Sequence, residues 1–310
     1  PNKEEYLKSI EIYKGELEKI NKNDKELCGY MQNTIGYTYK LLCEENTQQK
    51  EIDIQKANKW YHKLWKNIVR YCIKGEGTTT TKDTENSIED WKRQAETYLK
   101  KSVENNPKGR YHQNLGAYYA AIRDYDKALE QYKLAFNAEK RDDKIYNLIG
   151  SVLLYRAEMK LGISERFQKG IVLSEITLDK IDEEERLNIQ NDIKQAYEWL
   201  NLAIKQVNPI INAYYNYSKA CIYDSLFLGG GSQKMSEADK YLNTVEIIWN
   251  MNDSQKPKGY LYTRRNYWEA NKEYDKALEI NQVIMKVDNS GDAKTAERVY
   301  DSKKRNKNNG

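Results

Sequence analysis

The chain has 310 residues, 32% of them charged, and its 51 Lys and Arg against 47 Asp and Glu leave a net charge of only +4. That near-balance argues against a nucleic-acid-binding face, which needs clustered cations, and a mean hydropathy of −0.94 without an apolar run of bilayer length argues against a membrane span. Hydrophobic residues make up only 39%, with 26 Tyr against 3 Phe, a balance that suits an extended array better than a sphere, because Tyr buries its ring and keeps its hydroxyl wet.

The four prolines are Pro1, Pro107, Pro209 and Pro257. The last three fall between helical patterns, where a missing N–H does no harm. The long intervals between them carry a 3.6-type periodicity, which predicts an all-helical chain. Residues 1–108 read as divergent helical repeats. Ile35-Gly36 with Tyr39 forms an apolar-Gly-aromatic helix, and the next helical pattern, holding Ala57, Tyr61 and Leu64, is its expected partner across a long turn from Glu44 to Lys50. Ser87 and Asp90 cap a further helix with Ala95, Leu99 and Ser102, for which Asn58 to Ile73 is the expected partner. Between them, residues 75–86 contain four consecutive Thr and read as a mobile polar loop.

Residues 109–142 are the most regular part. Leu115, Gly116 and Tyr119 mark one helix, Ala128, Tyr132 and Ala135 the next, and Gly116 stands twelve residues before Ala128 with Arg123-Asp124-Tyr125-Asp126 as the turn. Small residues at Gly116 and Ala128 permit two antiparallel helices to approach closely, and the large Tyr119 and Tyr132 fill the space around them. Residues 143–208 repeat the pattern with Tyr146, Ile149 and Gly150 and then Ala196, Leu200 and Ala203. An insertion lies between, in which Phe167 to Leu178 reads as an added helix. Residues 209–256 hold Tyr214, Tyr217 and Ser218 with Ala238, Leu242 and Val245. Leu228-Gly229-Gly230-Gly231-Ser232 lengthens the turn, and Ser236 followed by Asp239 reads as a cap for the second helix. In residues 257–299, Tyr274-Asp275-Lys276-Ala277-Leu278-Glu279 nearly copies Tyr125-Asp126-Lys127-Ala128-Leu129-Glu130, although Arg265 replaces the small residue. Residues 300–310, basic from Lys303 to Lys307, read as a frayed, disordered tail.

The apolar-Gly pair, the aromatic and the following Ala-aromatic-Ala spacing resemble the tetratricopeptide repeat. The resemblance is concentrated in Gly109 to Asp142 and, next, in Pro257 to Asn289. It implies an all-α, right-handed superhelical solenoid of antiparallel helix pairs, with insertions in several repeats, that holds partners and does no bond chemistry.

The motifs of catalysis and ligation point the same way. Gly229-Gly230-Gly231-Ser232 lacks the Lys-Ser/Thr of a phosphate loop. Asp182-Glu183-Glu184-Glu185 suits a helix N-terminus, where the macrodipole favours acidic side chains. Cys28, Cys43, Cys72 and Cys221 lie far apart without a C-x-x-C pair, and His62 and His112 are the only imidazoles, which argues against a zinc site or a disulfide framework. His112 occupies a packing position, and Trp60, Trp65, Trp91, Trp199, Trp249 and Trp268 read as core. No nucleophile with a base is assembled, so the expectation is a non-enzymatic, cytoplasmic protein without cofactor or metal. Pro1-Asn2-Lys3-Glu4 carries no apolar signal segment, and a start without Met fits a processed or excised chain.

The resemblance implies that the first helices of successive repeats line a concave groove. Counted from the small-residue markers, the groove positions are Tyr30, Asn33, Tyr37 and Lys40, then Arg110 and Gln113, then Lys144 and Asn147, then Asn212, Tyr215 and Lys219, and finally Tyr262 and Asn266. The set contains no carboxylate. Asn pairs with peptide backbone, Tyr gives rigid contact area and the cations favour an acidic segment. The expected function is therefore a scaffold or sensor binding a protein or peptide, with an acidic ligand preferred. The alternatives are the sensor region of a larger bacterial signalling or defence protein, whose effector or NTPase domain lies elsewhere, and a nucleic-acid-binding solenoid.

Overall fold

The computed structural model describes residues 3–20, 24–47, 88–139, 143–249, 256–287 and 291–308, and among them the only regular structure is helical. Two units divide the chain, Pro1–Pro107 and Lys108–Gly310.

The first unit contains α1 (Lys3–Lys19), α2 (Lys25–Thr47) and α3 (Ile88–Asn105). Tyr6, Ile10 and Tyr13 form the buried stripe of α1 at the i, i+4, i+7 spacing of one helical face. The partner of the Gly36 helix is α3. A Cβ at Gly36 would lie 2.6 Å from Leu99 Cγ and 3.0 Å from the Ala95 carbonyl oxygen, so only glycine permits this approach. Tyr39 stacks on Tyr98, and Asn105 donates to Gln32 at 2.6 Å. The partners expected from sequence, Ala57, Tyr61 and Leu64 for the Gly36 helix and Asn58 to Ile73 for the Ala95 helix, lie outside the described residues, and the contact between the Gly36 and Ala95 helices is one that the sequence reading did not pair. The two halves of one pair are separated in sequence, and fit of small against large side chains selects the partner, not proximity along the chain. The segment with Ala57, Trp60, His62, Trp65 and Cys72, the loop 75–86 and Ser87 lie outside the described residues.

The second unit is a run of four pairs and a closing helix: α4 (Gly109–Ala121) with α5 (Tyr125–Ala138), α6 (Asp143–Lys160) with α7 (Glu183–Ile204), α8 (Ile211–Phe227) with α9 (Gly231–Trp249), α10 (Lys258–Ala270) with α11 (Tyr274–Val287), and α12 (Gly291–Asn308). In the first pair a Cβ at Gly116 would lie 2.7 Å from the Tyr132 ring and 3.2 Å from the Ala128 carbonyl oxygen. In each pair the alanine of the second helix, Ala128, Ala196, Ala238 or Ala277, is fully buried. Opposite them stand Gly116, Gly150, Ser218 and Arg265. The turn after α4 is set by Asp124, which caps α5 by accepting from Lys127 N at 3.2 Å. Asp182 caps α7 by accepting from Glu185 N at 2.9 Å, satisfying an N–H that the helix itself leaves unpaired.

Aromatic contacts join successive pairs. Phe136 of α5 meets Tyr146 of α6 and Trp199 of α7 edge-on at 5.6 and 5.3 Å. Tyr217 of α8 packs on Tyr197 of α7 and Tyr241 of α9. Its hydroxyl donates to Glu237 at 2.6 Å and lies 2.8 Å from Tyr197 Oη. Tyrosine thus does the work of phenylalanine here while its hydroxyl finds a partner. Helix α8 packs against α6, α7, α9 and α10 and is accordingly buried on most of its circumference.

Three expectations give way in this unit. Residues 167–178 form no α-helix. The connection from α6 to α7 holds only two 3₁₀ turns, Ile163–Glu165 and Leu173–Glu175, because Gly162 and Gly170 adopt φ of +62° and +69° and the side chains between them are spent on distant helices. Helix α9 starts at Gly231, ahead of the Ser236 cap. The segment after residue 299 is not a frayed tail: α12 continues to Asn308, with Tyr300 fully buried and Lys303 bonded to Glu175 at 2.5 Å.

Candidate interaction surface

The positions expected to line a groove fall into three groups. Arg110, Lys144 and Asn212 are exposed, whereas Tyr30, Asn33, Tyr37, Gln113 and Tyr262 are half-buried. The rest, like Arg110 with Tyr111, make contacts within the fold. In the first unit Lys40 is buried, bonds Glu44 at 2.7 Å and lies over the Tyr37 ring. In the second, Asn147 accepts from Asn216 at 2.9 Å, joining α6 to α8. Tyr215 is buried against Gly259. Lys219 bonds Glu158 at 2.9 Å, and Asn266 accepts from Arg166 at 2.9 Å. Carboxylates that the position count did not include, Glu44 and Glu158, neutralise two of the expected groove cations.

Tyr155 and Met159, one turn apart on α6, are the side chains that the sequence reading missed. They are 40% and 51% exposed, whereas Ile149, Val152, Leu153, Leu154 and Ala157 of the same helix are buried. Tyr155 stacks on Tyr125 of α5, with ring centroids 6.3 Å apart, and Lys219 Nζ sits 5.1 Å from its centroid. Glu158 holds that ammonium and accepts from Tyr223 Oη at 2.5 Å. Burial alone would lower the pKa of Lys219, but the Glu158 charge outweighs it and the pKa is raised. Burial, reinforced by the Glu158 charge, raises that of Tyr223 well above the ordinary phenol range. The network thus keeps Lys219 charged and Tyr223 neutral, and it fixes one face of Tyr155 while leaving the rest open. At the neighbouring end of α4, Ile122 is also exposed. The sequence hid this surface because the polar and apolar residues of α6 are only weakly segregated, so no clean stripe separates inward from outward residues.

A second, deeper cluster lies where the α6–α7 connection meets α10 and α12. Arg166, 3% exposed, donates to Glu269, 0% exposed, at 3.2 and 3.1 Å, to Asn266, and to the Ile163 carbonyl at 2.8 Å. Glu269 also accepts from Tyr300 Oη at 3.0 Å and from Leu173 N. Burial opposes the charge on Arg166, yet the Glu269 carboxylate outweighs that and raises its pKa. For Tyr300, burial first and then Glu269 raise the pKa.

Among the described residues no group of three or more His, Cys, Asp or Glu side chains is placed to hold a metal, and no helix is long and apolar enough to cross a membrane. Burial raises the pKa of the Cys221 thiol. His112 is buried with Nδ1 2.9 Å from Gln131 Oε1.

No family model matches the sequence, and no curated protein does. Among solved structures the chain is similar to yeast Tom70, at 12% identity over 99% of this chain and 60% of that one, with a TM-score of 0.36. It is also similar to the TPR domain of P58(IPK), at 10% identity over 92% and 81% of the two chains, with a TM-score of 0.29. The chain thus spans 60% of the length of the Tom70 chain it matches.

Proposed function

We propose that this chain is a non-enzymatic protein-interaction module that docks a segment of a partner on the Tyr155–Met159 surface. The observation that carries this reading is the exposure of an aromatic and a thioether one turn apart, on a helix whose other large apolar side chains are buried or, for Tyr146 and Leu148, half-buried. Tyr supplies rigid contact area, and Met adapts to irregular partners. The stack on Tyr125 and the ammonium of Lys219 hold Tyr155 in place before binding, which reduces the ordering cost. The ligand best suited to this surface inserts two apolar side chains. Exposed Arg110 and Lys144, on the first helices α4 and α6, would receive acidic residues flanking them.

The test compares capture of host proteins by the wild-type chain and by a Tyr155→Ser/Met159→Ser variant. The variant gives up the Tyr125 stack and the Lys219 contact, so it should lose about 1–2 kcal/mol, and circular dichroism checks that it stays folded. A partner held by the wild type and lost by the variant supports the surface. Equal capture by both overturns it. Captured nucleic acid whose binding falls steeply with salt would replace protein binding with a phosphate-dominated mode.

A further inference from the structure

In a helical solenoid each repeat ordinarily touches only its neighbours. The α6–α7 connection departs from this, reaching past the α8–α9 pair to α10 and the closing helix. It does so as a short irregular segment, and its contacts are those of a seated peptide. One buried arginine is read by a carboxylate, Glu269, and an amide, Asn266. The next residue, Phe167, meets Tyr300 edge-on at 5.6 Å and lies under the Arg265 guanidinium at 4.8 Å. A backbone N–H, that of Leu173, donates to the same Glu269. Phe167 and Val172 then fill an apolar pocket with Ala277, Ala296 and Val299, and Leu173 is fully buried beside them. Between these anchors Gln168, Lys169 and Gly170 are exposed, as in a ligand held at its ends.

We propose that the α10–α12 face is a segment-binding site selective for a cationic residue followed by an aromatic, with two aliphatic residues five and six positions beyond the aromatic, and that residues 163–175 keep it filled in cis. The recognition elements belong to the receptor side: Glu269 and Asn266 for the guanidinium, Tyr300 and Arg265 for the ring, and Glu269 again for the backbone. A partner segment of the same chemistry competes for them. The cis copy is favoured by its high effective concentration, so the site is closed at rest. This site is separate from the Tyr155–Met159 surface and does not depend on it, since neither side chain contributes to the pocket.

The probe is a fluorescein-labelled synthetic peptide with the sequence of residues 161–177, titrated by anisotropy against the full chain. An Arg166→Ala/Phe167→Ala chain, vacated at the anchor, should bind it saturably and at least about tenfold more tightly than wild type. Adding Glu269→Gln to the vacated chain should weaken binding by about tenfold or more. Absence of saturable binding by the folded vacated chain, or equal binding by wild type, overturns the proposal. A second measurement uses the wild-type chain alone. Amide exchange of residues 163–175 should occur through a local opening that spares α10 and α12, and excess unlabelled peptide should accelerate it. Exchange of Leu173 only together with α10 and α12 would show that the segment is ordinary core and would overturn the site.

Discussion

The first and last pairs of the second unit share a sequence and a turn yet close in opposite ways. Aligned on Tyr-Asp-Lys-Ala-Leu-Glu, Arg265 of α10 stands at the place of Gly116 and Asn281 of α11 at the place of Tyr132. In the first pair a glycine on α4 meets a buried tyrosine ring from α5. In the last, a buried arginine on α10 donates to Asn281 at 2.9 Å, and Asn281 in turn donates to the Ala293 carbonyl of α12 at 2.7 Å. The large side chain has moved from the second helix to the first, so the volume between the helices is still filled. The exchange also brings polar groups to the first-helix face. Ala117 and Ala120 of α4 are replaced at matching places by Asn266 and Glu269 of α10, the two residues that hold Arg166. One pair closes on itself through shape, and the other closes only with help from a distant segment.

The largest expected effect lies in the last pair. Glu269→Gln leaves the buried Arg166 guanidinium without its counter-charge and should cost about 3–5 kcal/mol, read by urea unfolding. Combining it with Arg166→Met should return part of that loss, because no unpaired charge then remains. Loss of less than about 1 kcal/mol in the single variant would mean that the pair is not desolvated as described.

Next comes the first pair, where Gly116→Ala forces a methyl against the Tyr132 ring and should cost about 1–3 kcal/mol. Tyr132→Leu in the same chain should relieve part of this, giving a coupling that a double-mutant cycle measures. Additive losses would break the claim that these two residues close the pair.

A further contrast concerns alkaline pH. Tyr217, Tyr223 and Tyr300 all have pKa values raised above the ordinary 10.0, foremost by burial. Below pH 10 the unfolded tyrosines are also protonated, so the folded state loses nothing. Above it the unfolded chain releases protons that the folded chain retains, and stability falls as pH rises. The melting temperature should decline between pH 9.5 and about 11, and Tyr300→Phe or Tyr223→Phe should flatten the decline. An unchanged slope in both variants would show that these phenols do not control it.

The smallest effects are expected where the two pairs agree. Arg123 and Lys272, at matching places after α4 and α10, adopt φ of +64° and +59°. Glycine at either position removes the left-handed strain but adds unfolded-state entropy. A net gain of about 0.5 kcal/mol is expected at each, read as a small rise in melting temperature. Unequal gains would mean that the shared turn sequence does not impose a shared turn.

Much of the fold was legible because helix pairing of this kind is local. Gly116, Ala128 and Tyr132 are close in sequence and in space, and their spacing alone describes the contact. The candidate surface was less legible. Position counting reached Lys219 and Asn266 correctly as residues of the first helices, but it could not show that Glu158 and Arg166 take their polar groups. It also passed over Tyr155 and Met159, which lie on a helix whose polar and apolar residues are only weakly segregated.

The sequence by itself determined the paired helices of the second unit, the period of the regular pair and the alanines buried in every second helix, since these follow from neighbours within about a dozen residues. Only the tertiary structure decided that α2 joins α3 across a long intervening segment. It alone decided that residues 163–175 seat against α10 and α12, and that Arg265 is buried and bonded to Asn281. The reason is common to all three. Each depends on which distant surface offers matching volume and a polar partner, and such a fit has no period along the chain.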